Sequence, residues 1–495
     1  MCASQWDGNY WMSETEIQLK RSETSRHIYR LVCGVILIGL EALIFIVLWL
    51  KLYNPYFRNP YVLRGNYFVT VLYILLSMLF NHIYGGLKLG YYKTFNIVFS
   101  LSMTALITNV VTYIGVVIPA ATLYVSPVPA VIYMTALDIA VVIVWSLVTN
   151  NLFHRLFPPQ KLLLISEIGA AEFAAKFAQR HDRYEITKSI IINEGGDGSK
   201  ESGYVYSHRP ETDDVSKYFN ECHCYDGVVI GDIPSGQRND LVKYCYAHGI
   251  RTYTIPKITD VILKSSETMH VFDTPIFLSR NKGLSFEQEF IKRCSDIVLS
   301  LIGLIVASPV FLVIAIAIKC EDHGPVFFRQ ERCTKDGRVF EILKFRSMIV
   351  NAEQSGITVP ATEKDPRITK VGAVIRAARL DELPQLINIL KGDMSVVGPR
   401  PERIEHVRQY TEEIPEFSYR MRVKGGLTGY AQVYGKYNTS AYDKLKLDLM
   451  YIANYSFLLD MEIIVRTIQV LFTRESTEGF DAEKSREMTE HAKKN

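Results

Sequence analysis

The chain has 495 residues, a formal net charge of +3 and a pI of about 8.2. With 48% hydrophobic and 22% charged residues it is not a disordered chain, and eight cysteines over this length do not make a disulfide scaffold. So small a basic excess also argues against a nucleic-acid binder, leaving no nucleic acid among the expected partners.

The averages hide where the apolar residues lie. After a mostly polar segment, 1–30, four apolar stretches approach or exceed the about 20 residues that cross a bilayer. They run Leu31–Leu50, Phe68–Leu87, Ile97–Ile118 and Val131–Thr149, so 31–153 reads as a four-span helical bundle. A cleaved leader fits poorly, because a long polar segment precedes the first stretch and no A-x-A-like site follows it. Orientation follows from Lys and Arg near the span ends. Lys20, Arg21, Arg26, Arg30, Lys88, Lys93, Arg155 and Lys161 lie on the side of both termini, against Lys51, Arg58 and Arg64 on the other, which favours cytoplasmic termini. Glu41 and Asp138 fall inside spans. An intramembrane carboxylate is either part of a pathway or bonded to neighbouring helices; without a basic partner in the spans, the second reading is favoured.

Past Pro158-Pro159 the pattern changes. Short apolar runs at Lys161–Ser166, Ser189–Ile192, Gly227–Ile230 and Arg251–Ile255 alternate with helical stretches at Ala170–Arg180 and Asn239–His248. That alternation predicts a parallel, Rossmann-like α/β domain over 154–280. Its first turn, Ser166-Glu167-Ile168-Gly169-Ala170-Ala171, lacks the G-x-G-x-x-G fingerprint, and Glu167 would repel a pyrophosphate, so the domain is expected to be degenerate and structural or regulatory. Cys222-His223-Cys224 has no second pair at finger spacing and reads as ordinary side chains rather than a metal site.

Residues 281–473 carry the chemistry, ahead of a polar tail, 474–495. A fifth apolar segment, 295–318, has Ser308-Pro309 in its middle and basic residues on both flanks. A kinked ordinary span and a re-entrant helix broken at Ser308-Pro309 both satisfy this pattern. Lys335-Asp336-Gly337 then predicts a turn between two strands, the second of which places Lys344 and Arg346 on one face if it stays extended. In Arg376–Leu386 (RAARLDELPQL), Pro384 suits the first turn of a helix running to about Lys391 with Gly392 as its stop. Asp381 and Glu382 therefore sit at a helix start among arginines. That is either a surface helix terminus or a magnesium and phosphoryl-transfer site. Val396–Glu402 (VVGPRPE) forms a rigid turn presenting Arg400, and Val423–Gln432 (VKGGLTGYAQ) is a glycine-rich loop.

Taken together, KFRSM, LDELPQL, VVGPRP, TGYAQV, LDLMY and NYSFLLD resemble the bacterial sugar transferases, the polyprenyl-phosphate hexose-1-phosphate transferases. The four spans and the α/β domain are similar to the long members that initiate exopolysaccharide, capsule or O-antigen assembly. One departure is Lys424-Gly425-Gly426, where the family usually has Lys-Pro-Gly. The resemblance implies transfer of hexose 1-phosphate from a UDP-hexose, glucose first and galactose second, to undecaprenyl phosphate at the inner-membrane bilayer, releasing UMP. It implies Asp381 as a nucleophile forming a phosphosugar intermediate and Glu382 in metal coordination or proton handling. Arg376 is assigned to the transferring phosphate, Arg400 with Pro399 to the uridine nucleotide, Lys344 and Arg346 to phosphate, and Mg2+ as cofactor held by Asp381 and Glu382. It also implies a monotopic catalytic domain of mixed α/β structure, a re-entrant 295–318 and a catalytic face in the cytoplasm, and it allows a homodimer. The competing classes are a non-catalytic membrane scaffold or sensor, and a membrane-anchored nucleotide-sugar dehydratase, which would need the missing fingerprint.

Overall fold

A computed structural model describes residues 14–57, 59–117, 128–166, 174, 176–178, 180–192, 206–207, 215–280, 283–350, 365–435 and 439–471. Two compact units divide the chain at Ile255/Pro256.

The first unit opens with four long helices: α1 (Glu14–Leu48), α2 (Leu63–Tyr84), α3 (Thr94–Thr112) and α4 (Val128–Leu156). Each carries a stretch long and apolar enough to cross a membrane. They pack through aromatic side chains, with Phe45 stacked on Tyr73 at a centroid distance of 4.1 Å and Trp49 fully buried beside them. Their outer faces keep large apolar residues exposed, among them Val35, Phe68, Ile132 and Val144. Helices apolar on both the packed and the open face suit a lipid surround rather than water. Glu41 and Asp138 face inward and bond neighbouring helices. Ser77 Oγ donates to Glu41 Oε2 at 2.7 Å, and Asn109 Nδ2 donates to Asp138 Oδ2 at 2.8 Å. Tyr73 in turn donates to Asn109 Oδ1 at 3.1 Å, so one polar network ties α2, α3 and α4.

Behind Pro158-Pro159 comes an all-parallel sheet of β1 (Gln160–Ser166), β2 (Tyr184–Ile191), β3 (Tyr206–Ser207), β4 (Gly227–Ile230) and β5 (Thr252–Thr254), in the order β3-β2-β1-β4-β5. Leu163, Ile165, Val228 and Ile230 bury on one face with Leu241 and Cys245 of helix α5 (Ser235–Ala247); Leu162, Leu164 and Val229 bury on the other. A strand covered on both faces needs an unbroken apolar run, and LLLI and VVI supply it. The turn at 167–173, where the fingerprint would sit, lies outside the described residues. Cys222 is buried in this core with its thiol toward Tyr218 O, and His223 Nε2 bonds Tyr244 OH at 2.8 Å.

The second unit begins with α6 (Ile258–Lys264), whose Ile258 and Val261 pack on Phe417, Leu445 and Leu449. The sequence pattern places 256–280 with the α/β domain; the packing places it here. An exposed hairpin, β6 (Glu267–Val271) and β7 (Thr274–Leu278), follows. Then α7 (Phe286–Asp322) runs for 37 residues, opened by a capping box in which Gln288 N donates to Ser285 Oγ and Ser285 N to Gln288 Oε1. The helix continues through Ser308-Pro309. Proline leaves the carbonyl four residues back without its donor, and Ser308 Oγ donates to that Ile305 carbonyl at 2.8 Å instead.

The rest of the unit is β8 (Phe327–Cys333), β9 (Val339–Phe345), α8 (Lys370–Ala377), α9 (Gln385–Lys391), β10 (Ser395–Val397), α10 (Ile404–Glu413), β11 (Gly426–Thr428), α11 (Ala441–Ala453) and α12 (Phe457–Leu471). The turn at Lys335-Asp336-Gly337 joins β8 to β9 as an antiparallel pair. Helix α9 occupies the expected span, with Pro384 at its start and Gly392, at φ +93°, ending it. Only glycine takes that left-handed conformation freely.

Candidate active site

Three chain segments converge on Glu382. Strand β9 brings Lys344, the single helical turn Leu380–Glu382 before α9 brings Asp381 and Glu382, and the loop after β10 brings Arg400. Lys344 Nζ donates to Glu382 Oε1 at 3.1 Å, and Arg400 Nη2 donates to the same oxygen at 2.8 Å. The pairing is fixed from behind. Asn388 of α9 donates to Glu341 O at 2.8 Å and accepts from Leu343 N at 2.9 Å, which locks α9 against β9 and so sets Glu382 against Lys344. On the other side Arg379, at φ +53°, reverses the chain between α8 and the Asp381 turn. A non-glycine residue there is strained, and such strain persists where the surroundings hold it.

The loop bearing Arg400 is rigid because its glycines leave no room. A Cβ on Gly426 would lie 2.1 Å from Gly398 N, and one on Gly429 would lie 2.1 Å from Gly398 O. The motifs VVGPRP and KGGLTG are thus two backbones in contact, paired in parallel through β10 and β11. Gly425 N donates to Thr334 Oγ1 at 3.1 Å, a bond that proline at this position could not make.

Electrostatics separates the two carboxylates. Burial pushes Glu382 upward, but Arg400 and Lys344 outweigh it and hold Glu382 well below the usual carboxylate range. Asp381 moves the other way. Burial raises it, the Glu382 charge adds to the rise, and Lys344, Arg376 and Arg400 only partly oppose it. No hydrogen bond to the Asp381 carboxylate occurs among the described residues, so neither of its oxygens is committed to a partner. Burial also lowers Lys344 below its ordinary value, and Glu382 raises Arg400. Since α9 has only seven residues, the positive field here comes from side chains more than from a helix dipole.

Of the expected site residues, Lys344, Asp381, Glu382 and Arg400 come together. Arg376 acts on Asp381 through its charge, and Pro399 is buried in the turn before Arg400. Arg346 does not join them. Strand β9 ends at Phe345, and Arg346 turns away to pair with Asp322 at the end of α7 and to donate to Pro325 O at 2.7 Å. Ser308 and Pro309 lie within α7, outside this cluster.

Sequence reasoning missed Arg420, Asp448 and Glu402. Arg420 Nη2 pairs with Asp448 Oδ2 at 2.7 Å and donates to Arg400 O at 3.1 Å, and its Nη1 lies 3.7 Å from Glu402. It therefore positions the Arg400 backbone. Only the residue types hinted at this: Asp448 sits in the otherwise apolar LDLMY. Removing one partner of a buried pair leaves the other charge stranded. Arg420→Met is expected to cost about 3–5 kcal/mol, read from denaturant unfolding. A loss under about 1 kcal/mol, the level of an exposed pair, would contradict that.

Two carboxylates beside a cluster of cations suit Mg2+, which takes one or two protein carboxylates and completes its shell with water and substrate phosphates. One oxygen of Glu382 is occupied by Lys344 and Arg400, so the other and the Asp381 carboxylate are the ligands this donor set offers.

A family model described as bacterial sugar transferase matches residues 287–474. A UDP-N-acetylgalactosamine-undecaprenyl-phosphate N-acetylgalactosaminephosphotransferase of Aeromonas hydrophila is 39% identical over 255 residues, 50% of this chain and 59% of that one. A UDP-glucose:undecaprenyl-phosphate glucose-1-phosphate transferase of Escherichia coli K12 is 42% identical over 219 residues, 43% of this chain and 47% of that one. An exopolysaccharide production protein of Rhizobium leguminosarum is 39% identical over 193 residues, 37% of this chain but 96% of that one. The chain thus spans about half the length of the first two relatives and nearly all of the third.

Proposed function

This chain belongs to the bacterial sugar transferase family, and from that premise we propose that it moves hexose 1-phosphate from a UDP-hexose to undecaprenyl phosphate. The products are UMP and undecaprenyl-diphospho-hexose, the first membrane-bound step of an exopolysaccharide, capsule or O-antigen. One observation carries the reading: an uncommitted, half-buried Asp381 carboxylate beside a Glu382 that two cations hold ionised.

In the proposed mechanism an Asp381 oxygen attacks the sugar-bearing phosphorus. The new aspartyl O–P bond forms as the P–O bond to UMP breaks. A phosphate oxygen of the lipid then attacks the same phosphorus and displaces the aspartate. Lys344, Arg376 and Arg400 offset the charge of the transferring phosphate and the departing UMP, and Glu382 keeps Lys344 and Arg400 in place. Magnesium, held by Asp381 and the free Glu382 oxygen, would neutralise the diphosphate. Glucose is the first donor proposed and galactose the second. The decisive assay is UMP release from UDP-glucose, UDP-galactose and UDP-N-acetylgalactosamine with undecaprenyl phosphate present. Release from none of them would sink the proposal.

The pH dependence has a definite sign. A nucleophilic aspartate works deprotonated, so the rate falls as pH drops through its pKa. Because Asp381 is raised, the acid limb is expected above the about 3.9 of an ordinary aspartate. Lys344 is the leading charge holding Asp381 down, so Lys344→Met moves the limb to still higher pH. A limb that stays put would count against Asp381 as the titrating group.

The membrane reading is that α1–α4 span the inner membrane with both termini in the cytoplasm, the parallel sheet is Rossmann-like, and α7 is re-entrant. Support for the last comes from its contacts. Near its start Lys292 Nζ pairs with Asp460 at 2.6 Å, and Asp296 accepts from Val396 N at 2.8 Å. Near its end Ile314 and Ile318 pack on Phe345 and Ile375, and Glu321 accepts from Lys370 N at 2.7 Å. A helix tied to one globular body at both ends does not leave its other end across a bilayer. Cys294 and Cys320 are exposed near those ends and serve as native reporters. With the other cysteines replaced, both are expected to react with an impermeant maleimide from the cytoplasmic face only; labelling from opposite faces would mean a true span.

A further inference from the structure

The first unit contains a cavity of about 320 Å³ where the ends of α1 and α4 meet the start of the sheet. That is the size of a small-ligand pocket, about 300–1,000 Å³. Four arginines line it: Arg26 and Arg30 of α1, Arg183 just before β2, and Arg251 just before β5. Its two acids are already engaged. Asp182 pairs with Arg180 at 2.9 Å, and Glu23 pairs with Arg251. Arg26, Arg30 and Arg183 have no carboxylate partner among the described residues. The guanidinium groups of Arg30 and Arg183 both lie against the Tyr91 ring, 4.4 and 3.9 Å from its centroid. Arg26 Nε is buried without a hydrogen-bond partner. Like charges gathered in a cavity repel, and an anion among them relieves that repulsion while supplying the missing acceptor.

We propose that this cavity is a binding site for a phosphate group, carried either by a soluble phosphorylated molecule or by an anionic lipid head group. The site is distinct from the usual nucleotide crevice. Parallel sheets bind nucleotides at the carboxyl ends of their strands, whereas this cavity lies at the amino ends of β1, β2 and β5. Both sources are within reach, because α1 and α4 deliver the cavity at the end of the membrane bundle. Guanidinium groups suit phosphate oxygens of either kind.

The test uses the full chain in nanodiscs of neutral phosphatidylcholine. Inorganic pyrophosphate is titrated by calorimetry, and thermal unfolding is compared with and without phosphatidylglycerol in the disc. Binding of pyrophosphate, weakened at least about tenfold in Arg26→Gln/Arg183→Gln, identifies a soluble phosphate ligand, on the scale of two lost charge-assisted hydrogen bonds. Stabilisation by phosphatidylglycerol alone, lost in the same double variant, identifies a lipid head group. Glu23→Gln removes the acid that engages Arg251 and is expected to strengthen whichever response the wild type shows, which keeps the test meaningful if the double variant unfolds. Wild-type responses that neither substitution changes, or no response to either probe, would overturn the proposal.

Discussion

Asp381→Asn is expected to abolish transfer of labelled sugar phosphate to lipid while leaving the protein folded. The substitution is isosteric and exchanges a carboxylate for an amide, which cannot attack phosphorus. Losses on removing a covalent nucleophile run to about 10⁴-fold or more. Its fold should survive because the Asp381 carboxylate makes no hydrogen bond among the described residues and burial already penalises its charge. The thermal midpoint should therefore stay level or rise slightly. If the chain were a scaffold or sensor, the same substitution would leave transfer unchanged.

Glu382→Gln is expected to damage both activity and stability. Glu382 joins Lys344 and Arg400 through one oxygen, so its loss leaves two cations near each other with no anion between them. Losing a preorganised electrostatic contact of this kind lowers turnover by about 10²–10³-fold. The stability cost should fall below the about 3–5 kcal/mol of a fully buried pair, because Arg400 is 42% exposed and solvent screens it. The contrast is diagnostic. Asp381→Asn should separate activity from stability and Glu382→Gln should lower both; equal behaviour of the two would remove the distinction between nucleophile and clamp.

Much of this site could be read from local sequence. Pro384 and Gly392 bracket α9, Lys335-Asp336-Gly337 turns β8 into β9, and the runs LLLI and VVI mark buried parallel strands. These are signals carried within a few residues of chain. Arg346 shows where alternation misleads: it shares a face with Lys344 only if the strand continues, and β9 stops one residue earlier. Pairs closed over long stretches of chain leave no local trace. Arg420 meets Asp448, and Lys292 meets Asp460, only because the fold brings α11 back to the helical turns at Pro415–Arg422 and α12 back to α7. The arginine cavity was illegible for the same reason. Its four arginines come from three separate stretches of chain, and charge counting assigned Arg26 and Arg30 to membrane orientation alone. Ser308-Pro309 is legible as an irregularity, but its local solution, the Ser308 hydroxyl satisfying the Ile305 carbonyl, is set by the side-chain rotamer in the folded helix.

In the proposed mechanism Asp381 carries a covalent phosphosugar. The most direct test incubates the protein with UDP-hexose in the absence of lipid acceptor and maps the protein by mass spectrometry. One hexose phosphate is expected on the peptide bearing Asp381, with UMP released in equal amount and the adduct lost when undecaprenyl phosphate is added. UMP release that waits for the lipid, or an adduct on any other residue, would contradict it.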